Sequence, residues 1–240
     1  MIPVIKRVPV GIPELDEMLS GGIPEKSSIL VKGPPGSFKT ILCLLYLYNG
    51  AKKYGDRGLY VTFNQNVAGV MEQAQEFGWD FKGLPVEFVA FDTSKEMDVE
   101  GKMLTKIKES GAKRVVIDSL SSYLSRMPMT HEEFETDVLY NALKRIPGLS
   151  ISEDMLIRAL ATRLFRRIAT IPATYLFIYE DLTMESVMHT ADYLVDGVMR
   201  LSRVESIGKR TIVVEKMRYT KHDFLPRDIA LTDKGLKIGK

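Results

Sequence analysis

A short apolar run, Ser27 to Lys32, leads directly into Gly33-Pro34-Pro35-Gly36, and from Lys39 to Tyr54 the chain reads as a buried helix. A strand, a glycine turn and an apolar helix in that order form the opening unit of a layered fold, with helices laid over a sheet. The alternation continues. Gly58-Leu-Tyr-Val-Thr-Phe63 is a second β-rich run, followed by a helix near Ala68 to Phe77. Val86 to Phe91, Arg114 to Ile117 and Thr174 to Tyr179 are three more strand candidates. None alternates strictly, as expected of strands covered on both faces. The reading is an α/β fold with a mostly parallel central sheet flanked by helices. After Thr190 the pattern changes to an antiparallel pair, Asp196 to Val204 and Lys209 to Lys216, joined by Glu205-Ser206-Ile207-Gly208 and followed by a strand around Arg227 to Leu231.

No Pro/Ser-rich linker, composition break or internal repeat divides the 240 residues, so a single domain over 1–240 is expected, with a helical insert at about 127–170. Thr130 with Glu133 is a capping-box start for a helix to about Arg145, and Pro147-Gly148 breaks it. Ser152 starts a second helix, in which Leu156, Leu160, Leu164 and Ile168 share one stripe with Ile157, Ala161 and Phe165 beside it. Arg163, Arg166 and Arg167 fall on the other side, as a solvated face or as a patch for nucleic acid. The insert itself is a candidate docking surface for a protein partner.

With 45% hydrophobic residues the chain can offset the entropy of ordering, which excludes a disordered protein. Its 33 Lys+Arg against 31 Asp+Glu announce neither a nucleic-acid nor a membrane partner. The densest apolar stretch, Ile41 to Tyr48, falls well short of the roughly 20 residues of a spanning helix, and the N-terminus has no export signal. The lone Cys43 cannot form an internal disulfide, which suits a reducing compartment, and a cytoplasmic protein is expected.

Gly33-Pro34-Pro35-Gly36-Ser37-Phe38-Lys39-Thr40 carries the chemistry. A phosphate loop is Gly, four residues, then Gly-Lys-Ser/Thr, with backbone N–H groups wrapping the phosphates at the positive end of a helix. In that pattern the Lys reaches the β/γ-phosphates and the hydroxyl binds Mg²⁺. Gly33, Gly36, Lys39 and Thr40 are in register, and Phe38 stands where the last glycine belongs. That glycine usually takes a backbone angle that a Cβ resists, at about 1–3 kcal/mol of strain. The expectation is a remodelled loop, or a nucleotide bound weakly or not at all. A plain Gly/Pro turn before a buried helix is the structural alternative.

Val10-Gly11-Ile12-Pro13-Glu14-Leu15-Asp16 and Gly21-Gly22-Ile23-Pro24 precede the loop. Arg114-Val115-Val116-Ile117-Asp118-Ser119-Leu120-Ser121 ends a later strand. Lys216-Met217-Arg218-Tyr219-Thr220-Lys221-His222 closes the antiparallel pair, and Leu231-Thr232-Asp233-Lys234-Gly235 comes near the end. In this order the segments resemble RecA-superfamily ATPases of the KaiC type, including the single-domain KaiC-like proteins common in archaea, over nearly the whole chain.

The resemblance implies a RecA-like phosphate-loop fold that binds ATP through Gly33, Gly36, Ser37, Phe38, Lys39, Thr40 and Ile41, with Mg²⁺ held by Thr40 and Asp118. It implies a ring or hexamer of identical chains, in which Lys216, Met217, Arg218, Thr220 and His222 reach the nucleotide of the neighbouring subunit, as arginine fingers do. The family's catalytic base is a Glu, often an adjacent pair, after the second strand. Here the corresponding residues are Asn64 and Gln65, amides that cannot take a proton, where general-base help is worth ~10²–10⁴-fold. Glu180 is a candidate substitute. Tyr219 replaces the usual Gly of the last motif.

The expected function is an ATP-binding, ring-forming protein with weak or absent hydrolysis, regulatory or scaffolding. Three alternatives stay open: a working Mg-dependent ATPase, a recombination accessory that binds DNA, and a structural subunit without nucleotide. The stretch from Glu180 to Ala191 contains no glycine and is short for a DNA-binding loop, so DNA rests on the three helix arginines alone.

Overall fold

The computed structural model describes residues 5–63, 66–92, 98–126, 141, 145, 152–180, 191–233 and 235–239. Asn64, Gln65, nearly all of the helix expected from Thr130 to Arg145, and residues 181–190 lie outside the described residues.

The N-terminal ribbon pairs β1 (Arg7–Val8) with β2 (Ile23–Pro24) around α1 (Pro13–Met18). Among the described residues the remaining strands form one nine-stranded sheet. They are β3 (Ser28–Gly33), β4 (Gly58–Thr62), β5 (Val86–Ala90), β6 (Arg114–Asp118), β7 (Thr174–Glu180), β8 (Gly197–Val204), β9 (Lys209–Met217), β10 (Arg227–Thr232) and β11 (Gly235–Ile238). The order across the sheet is β11-β10-β9-β8-β3-β7-β6-β4-β5. From β8 to β5 neighbours are parallel, and from β8 to β11 antiparallel. The expected hairpin is thus one half of a four-stranded antiparallel end.

The helices are α2 (Lys39–Tyr54), α3 (Val67–Glu76), α4 (Val99–Ser110), α5 (Leu120–Arg126) and α6 (Glu153–Ile168). Successive strand residues feed opposite faces. Ile29, Val31, Tyr60, Val116, Leu176 and Ile178 pack toward α2. Leu30, Leu59, Val61, Val115, Ile117, Tyr175 and Phe177 pack toward α4, α5 and α6. This two-sided burial explains the missing alternation in β3, β4, β6 and β7. The edge strand β5 departs from that expectation, because its residues are only partly covered.

Three of the described helix starts use side-chain caps, the first being Asn66, which accepts the Ala68 amide (3.0 Å) for α3. Asp98 accepts the Gly101 amide (3.0 Å) for α4, and Ser152 accepts the Met155 amide (3.4 Å) for α6. The apolar stripe of α6 is buried as its spacing predicts. Its arginines are not simply a solvated face. Arg163 (3.1 Å) and Arg167 (2.5 Å) clamp the carboxylate of Glu100, a buried residue of α4 that also accepts the Tyr123 hydroxyl (2.5 Å). Arg166 stays exposed. Among the described residues no helix is long and apolar enough to cross a membrane.

One buried charge pair ties the sheet to α2. Arg114, 0% exposed, meets Asp56 at 2.8 Å, donates to the carbonyls of Pro9 (2.7 Å) and Tyr46 (3.1 Å), and lies over the Tyr46 ring. Gly50 makes room for it, since a Cβ there would stand 2.3 Å from the Arg114 side chain. Gly50→Ala should therefore cost about 3–5 kcal/mol by disrupting the pair. Gly69→Ala on α3, where a Cβ meets nothing, should instead gain up to about 1 kcal/mol. Urea unfolding of the two variants checks the opposite signs.

Candidate functional site

Because β3, β6, β7 and β4 run parallel, their carboxyl ends open on one edge of the sheet, where ligands of open α/β folds bind. Four sequence-derived groups arrive there together: the loop after β3, the N-terminus of α2, Asp118 at the end of β6, and Glu180 at the end of β7, in register with Gly33.

The loop keeps a phosphate-binding shape. Gly33 has φ +156°, and a Cβ on it would lie 2.1 Å from the Leu201 carbonyl oxygen of β8. Gly36 has φ +73°. Phe38 has φ +74° and ψ +19°, a left-handed conformation, so the backbone takes the glycine-type angle despite the side chain. That conformation costs a non-glycine residue about 1–2 kcal/mol. The ring turns aside onto the edge of the core beneath α2, and the Arg210 guanidinium of β9 lies 4.4 Å from its centroid. A cation–π contact is worth roughly 0.5–2 kcal/mol, comparable to the strain. The expected remodelling is absent at this angle.

Lys39 is buried and folds back onto the loop, donating to the carbonyls of Gly33 and Pro34, both at 2.9 Å. Ser37 Oγ is buried without a partner. The Thr40 hydroxyl points to Asp118 Oδ2 at 3.4 Å. Ile41 is buried in the α2 core, so ligand contact from it would be through its backbone. These features fit a polyphosphate and a divalent ion: an orphaned hydroxyl, a lysine folded onto the carbonyls of the loop, and a hydroxyl–carboxylate pair. Among the described residues no group of three or more His, Cys, Asp or Glu forms a separate metal cage. Thr40 and Asp118 together with phosphate oxygens are the ligand set that a Mg²⁺ ion accepts.

Asp118 has a further partner that the sequence did not reveal. The buried Tyr60 hydroxyl of β4 donates to the same Oδ2. Burial pushes the Asp118 carboxyl above its usual range, Glu180 adds to the rise, and the bonds from Tyr60 and Thr40 with the Lys39 charge oppose it. Burial and the Asp118 carboxylate push the Tyr60 phenol well above its own range, so it remains a donor. A tyrosine on an apolar strand reads as core, and only the register Thr62↔Asp118 brings it to the acid.

The motif after β9 is placed as follows. Lys216 donates to the carbonyls of Asp192 (2.7 Å) and Val195 (2.6 Å), and burial with the nearby Arg218 lowers its pKa. Met217 is buried, with its side chain in the core. Arg218 is half exposed and meets Asp196 at 3.2 Å. Thr220 accepts Arg7 Nη1 (2.8 Å), and the His222 ring lies 3.3 Å from the Thr220 carbonyl. Tyr219 takes φ +59°, again a glycine-like angle, with its side chain exposed.

The family model for "ATPase: KaiC" matches residues 8–146 and 142–240. The chain belongs to the KaiC ATPase family. A UPF0273 protein of Methanocaldococcus jannaschii is 28% identical over 98% of this chain and 96% of its own length. One of Pyrobaculum aerophilum is 30% identical over 98% of this chain and 83% of its own. The crystal structure of a KaiC-like protein from Pyrococcus horikoshii superposes with TM-score 0.79 and 25% identity, covering 98% of this chain and all of that one. The RecA-like architecture expected from the motifs is therefore the fold of this KaiC family member.

Because its folded-state pKa is raised, ionising Asp118 disfavours the fold, a penalty absent below the ordinary carboxylate pKa and complete above the folded one. Tyr60→Phe removes a bond that favours the ionised form, so it should raise that pKa further. The loss should be about 1.5–3 kcal/mol where Asp118 is ionised and smaller in acid. Chemical unfolding at neutral and acid pH checks the difference.

Proposed function

We propose that this KaiC family member is a single-domain MgATP-binding protein that assembles as a ring, a hexamer in the form its motifs resemble, with hydrolysis weak or absent. The observation that carries the reading is the loop itself: Phe38 adopts the left-handed angle and turns its ring away, leaving Lys39 and Thr40 in register with Asp118. Gly33, Gly36, Ser37, Phe38 and Ile41 would present backbone N–H groups to the phosphates, and Lys39 would exchange its two carbonyls for them. Thr40 and Asp118 would hold the ion, which supplies charge neutralisation between the phosphates.

Hydrolysis is assigned as weak because Asn64 and Gln65 occupy the positions of the catalytic carboxylates. Glu180 would orient rather than deprotonate. Ring assembly is supported by the surface around the last motif. Tyr193, Tyr219, Phe224 and Leu225 are between 62% and 80% exposed, and Arg218 bonds the Tyr193 carbonyl. Exposed apolar groups gathered at one motif mark a contact surface. In the ring, Lys216, Arg218, Thr220 and His222, with the Met217 backbone, would face the nucleotide of the next copy, and ATP at the boundary would favour assembly by mass action. Binding without rapid turnover would suit a regulatory or scaffolding role, and the cytoplasm is the compartment we propose for it.

Isothermal titration should show MgATP binding that Lys39→Ala weakens about 30-fold or more, the cost of removing a buried charge partner. Light scattering should show a larger particle with nucleotide than without. Phosphate release should be slow in the native chain and rise about 10²-fold or more in Asn64→Glu/Gln65→Glu. Absence of binding heat at millimolar ATP overturns the reading in favour of a structural subunit. Rapid release abolished by Glu180→Gln makes Glu180 the base and the protein a working ATPase.

A further inference from the structure

We infer that Arg210 is a positioning residue for the phosphate loop, a clamp that lets Phe38 stand where the motif has glycine. The inference rests on the nucleotide-binding reading and adds to it the device that keeps the loop competent. Two contacts converge on one guanidinium. Arg210 Nε donates to the Gly36 carbonyl at 3.0 Å, and its central carbon lies 4.4 Å from the centroid of the Phe38 ring. One contact fixes the middle of the loop and the other fixes the side chain two residues later.

The geometry explains why both are needed. Phe38 holds a left-handed angle that a non-glycine residue leaves for an ordinary conformation unless its surroundings hold it. If it relaxed, the ring would swing away from α2 and the N–H groups that cradle phosphate would diverge. The ring is half buried against the α2 side of the core, and Arg210 covers its other face. Arg210 is the second residue of β9, opposite Arg203 of β8 in the register, so the antiparallel ribbon delivers it across the loop. A Cβ on Gly36 would lie 3.4 Å from Arg203 Nη1, which brings the second strand of that ribbon against the loop. Among the described residues no carboxylate forms an ion pair with Arg210, so its polar bond is the one to the loop. A planar guanidinium is required for both jobs together, because lysine offers a point charge and cannot stack on a ring while donating in its plane.

The test is a double-mutant cycle on the full chain with two readouts. Hydrogen exchange of the amides of residues 36–39 is measured without nucleotide, and MgATP affinity is measured by titration. Arg210→Ala and Arg210→Lys should each raise exchange in the free loop and weaken MgATP about tenfold, which is ~1.4 kcal/mol. In a Phe38→Gly background, where the chain adopts the angle unaided, Arg210→Ala should change either readout less than about threefold. Equal effects in both backgrounds, or full retention by Arg210→Lys, would make Arg210 a source of charge and overturn the clamp. Unchanged exchange in Arg210→Ala overturns it as well, whether or not ATP binds. Absence of ATP binding by native and Phe38→Gly chains alike, with exchange still coupled, overturns the nucleotide reading and leaves the clamp standing.

Discussion

The missing side chain of Gly33 sets where everything else in the site can be. The 2.1 Å that would separate its Cβ from the Leu201 carbonyl means that β3 and β8 approach closely just where the phosphate loop leaves the sheet. That approach puts the β8–β9 ribbon over the loop, and with it Arg210 and Arg203. The same central strand pairs on its other side with β7, which sets Glu180 beside Gly33, and β7 in turn aligns Asp118 with Ile178. The groups at this edge are therefore positioned by ladder register more than by loop sequence. A strand order that places β3 between β7 and β8 turns three distant segments into one crevice.

Charge inside this fold is placed where it can be compensated. Arg114 is held by Asp56 and by carbonyls, and Glu100 by two arginines and a tyrosine. Lys32, one residue before Gly33, is buried between Asp192 (2.8 Å) and Glu215 (2.9 Å). Despite partial burial, the bonds from Lys32 and Arg200 hold the Glu215 carboxyl below its usual range. Asp118 is different, because burial prevails over its bonds and its pKa rises. A buried carboxyl that resists ionisation is poorly matched to the empty fold and well matched to a cation. Functional groups commonly carry such a cost, which the stable pairs elsewhere offset.

Much of this was legible in the chain. The limits of α2 are those expected from Lys39 and Tyr54, because an apolar helix bounded by a glycine turn and Gly55 leaves little freedom. The parallel strands β3 to β7 were visible as apolar runs, β8 only as half of an antiparallel pair, and the last helix from Ser152 and its stripe. Other elements were missed. In α4, Val99, Met103, Leu104 and Ile107 carry a helical stripe behind Asp98, but many charged neighbours masked it. The four residues of β11 are too short to announce a strand. Pairings across the fold were not readable at all. Arg163 and Glu100 stand 63 residues apart, and nothing in the periodicity of either helix links them. Tyr60 and Arg210 were invisible for the same reason, since each acts through a strand partner that only the sheet supplies. The Phe38 substitution was legible as a strain, and its resolution by a distant arginine was not.

The separation between those two kinds of residue bears on how binding and cleavage can part company in one fold. Among the described residues, the contacts that shape the loop come from β8, β9, α2 and its own carbonyls. β4 and β6 enter through Tyr60 and Asp118, which on the proposed reading would serve the ion position rather than the attacking water. On the proposed reading, the amides Asn64 and Gln65 stand where a proton acceptor would be, while the described contacts of the phosphate loop come from other elements. Phe38 illustrates the converse, a change inside the loop that is tolerated because the ribbon beside it supplies a compensating contact. If recognition rests on sheet register and cleavage on the side chains at positions 64 and 65, the second can be lost by side-chain exchange alone. Losing the first takes a change in how β3, β8 and β9 pack.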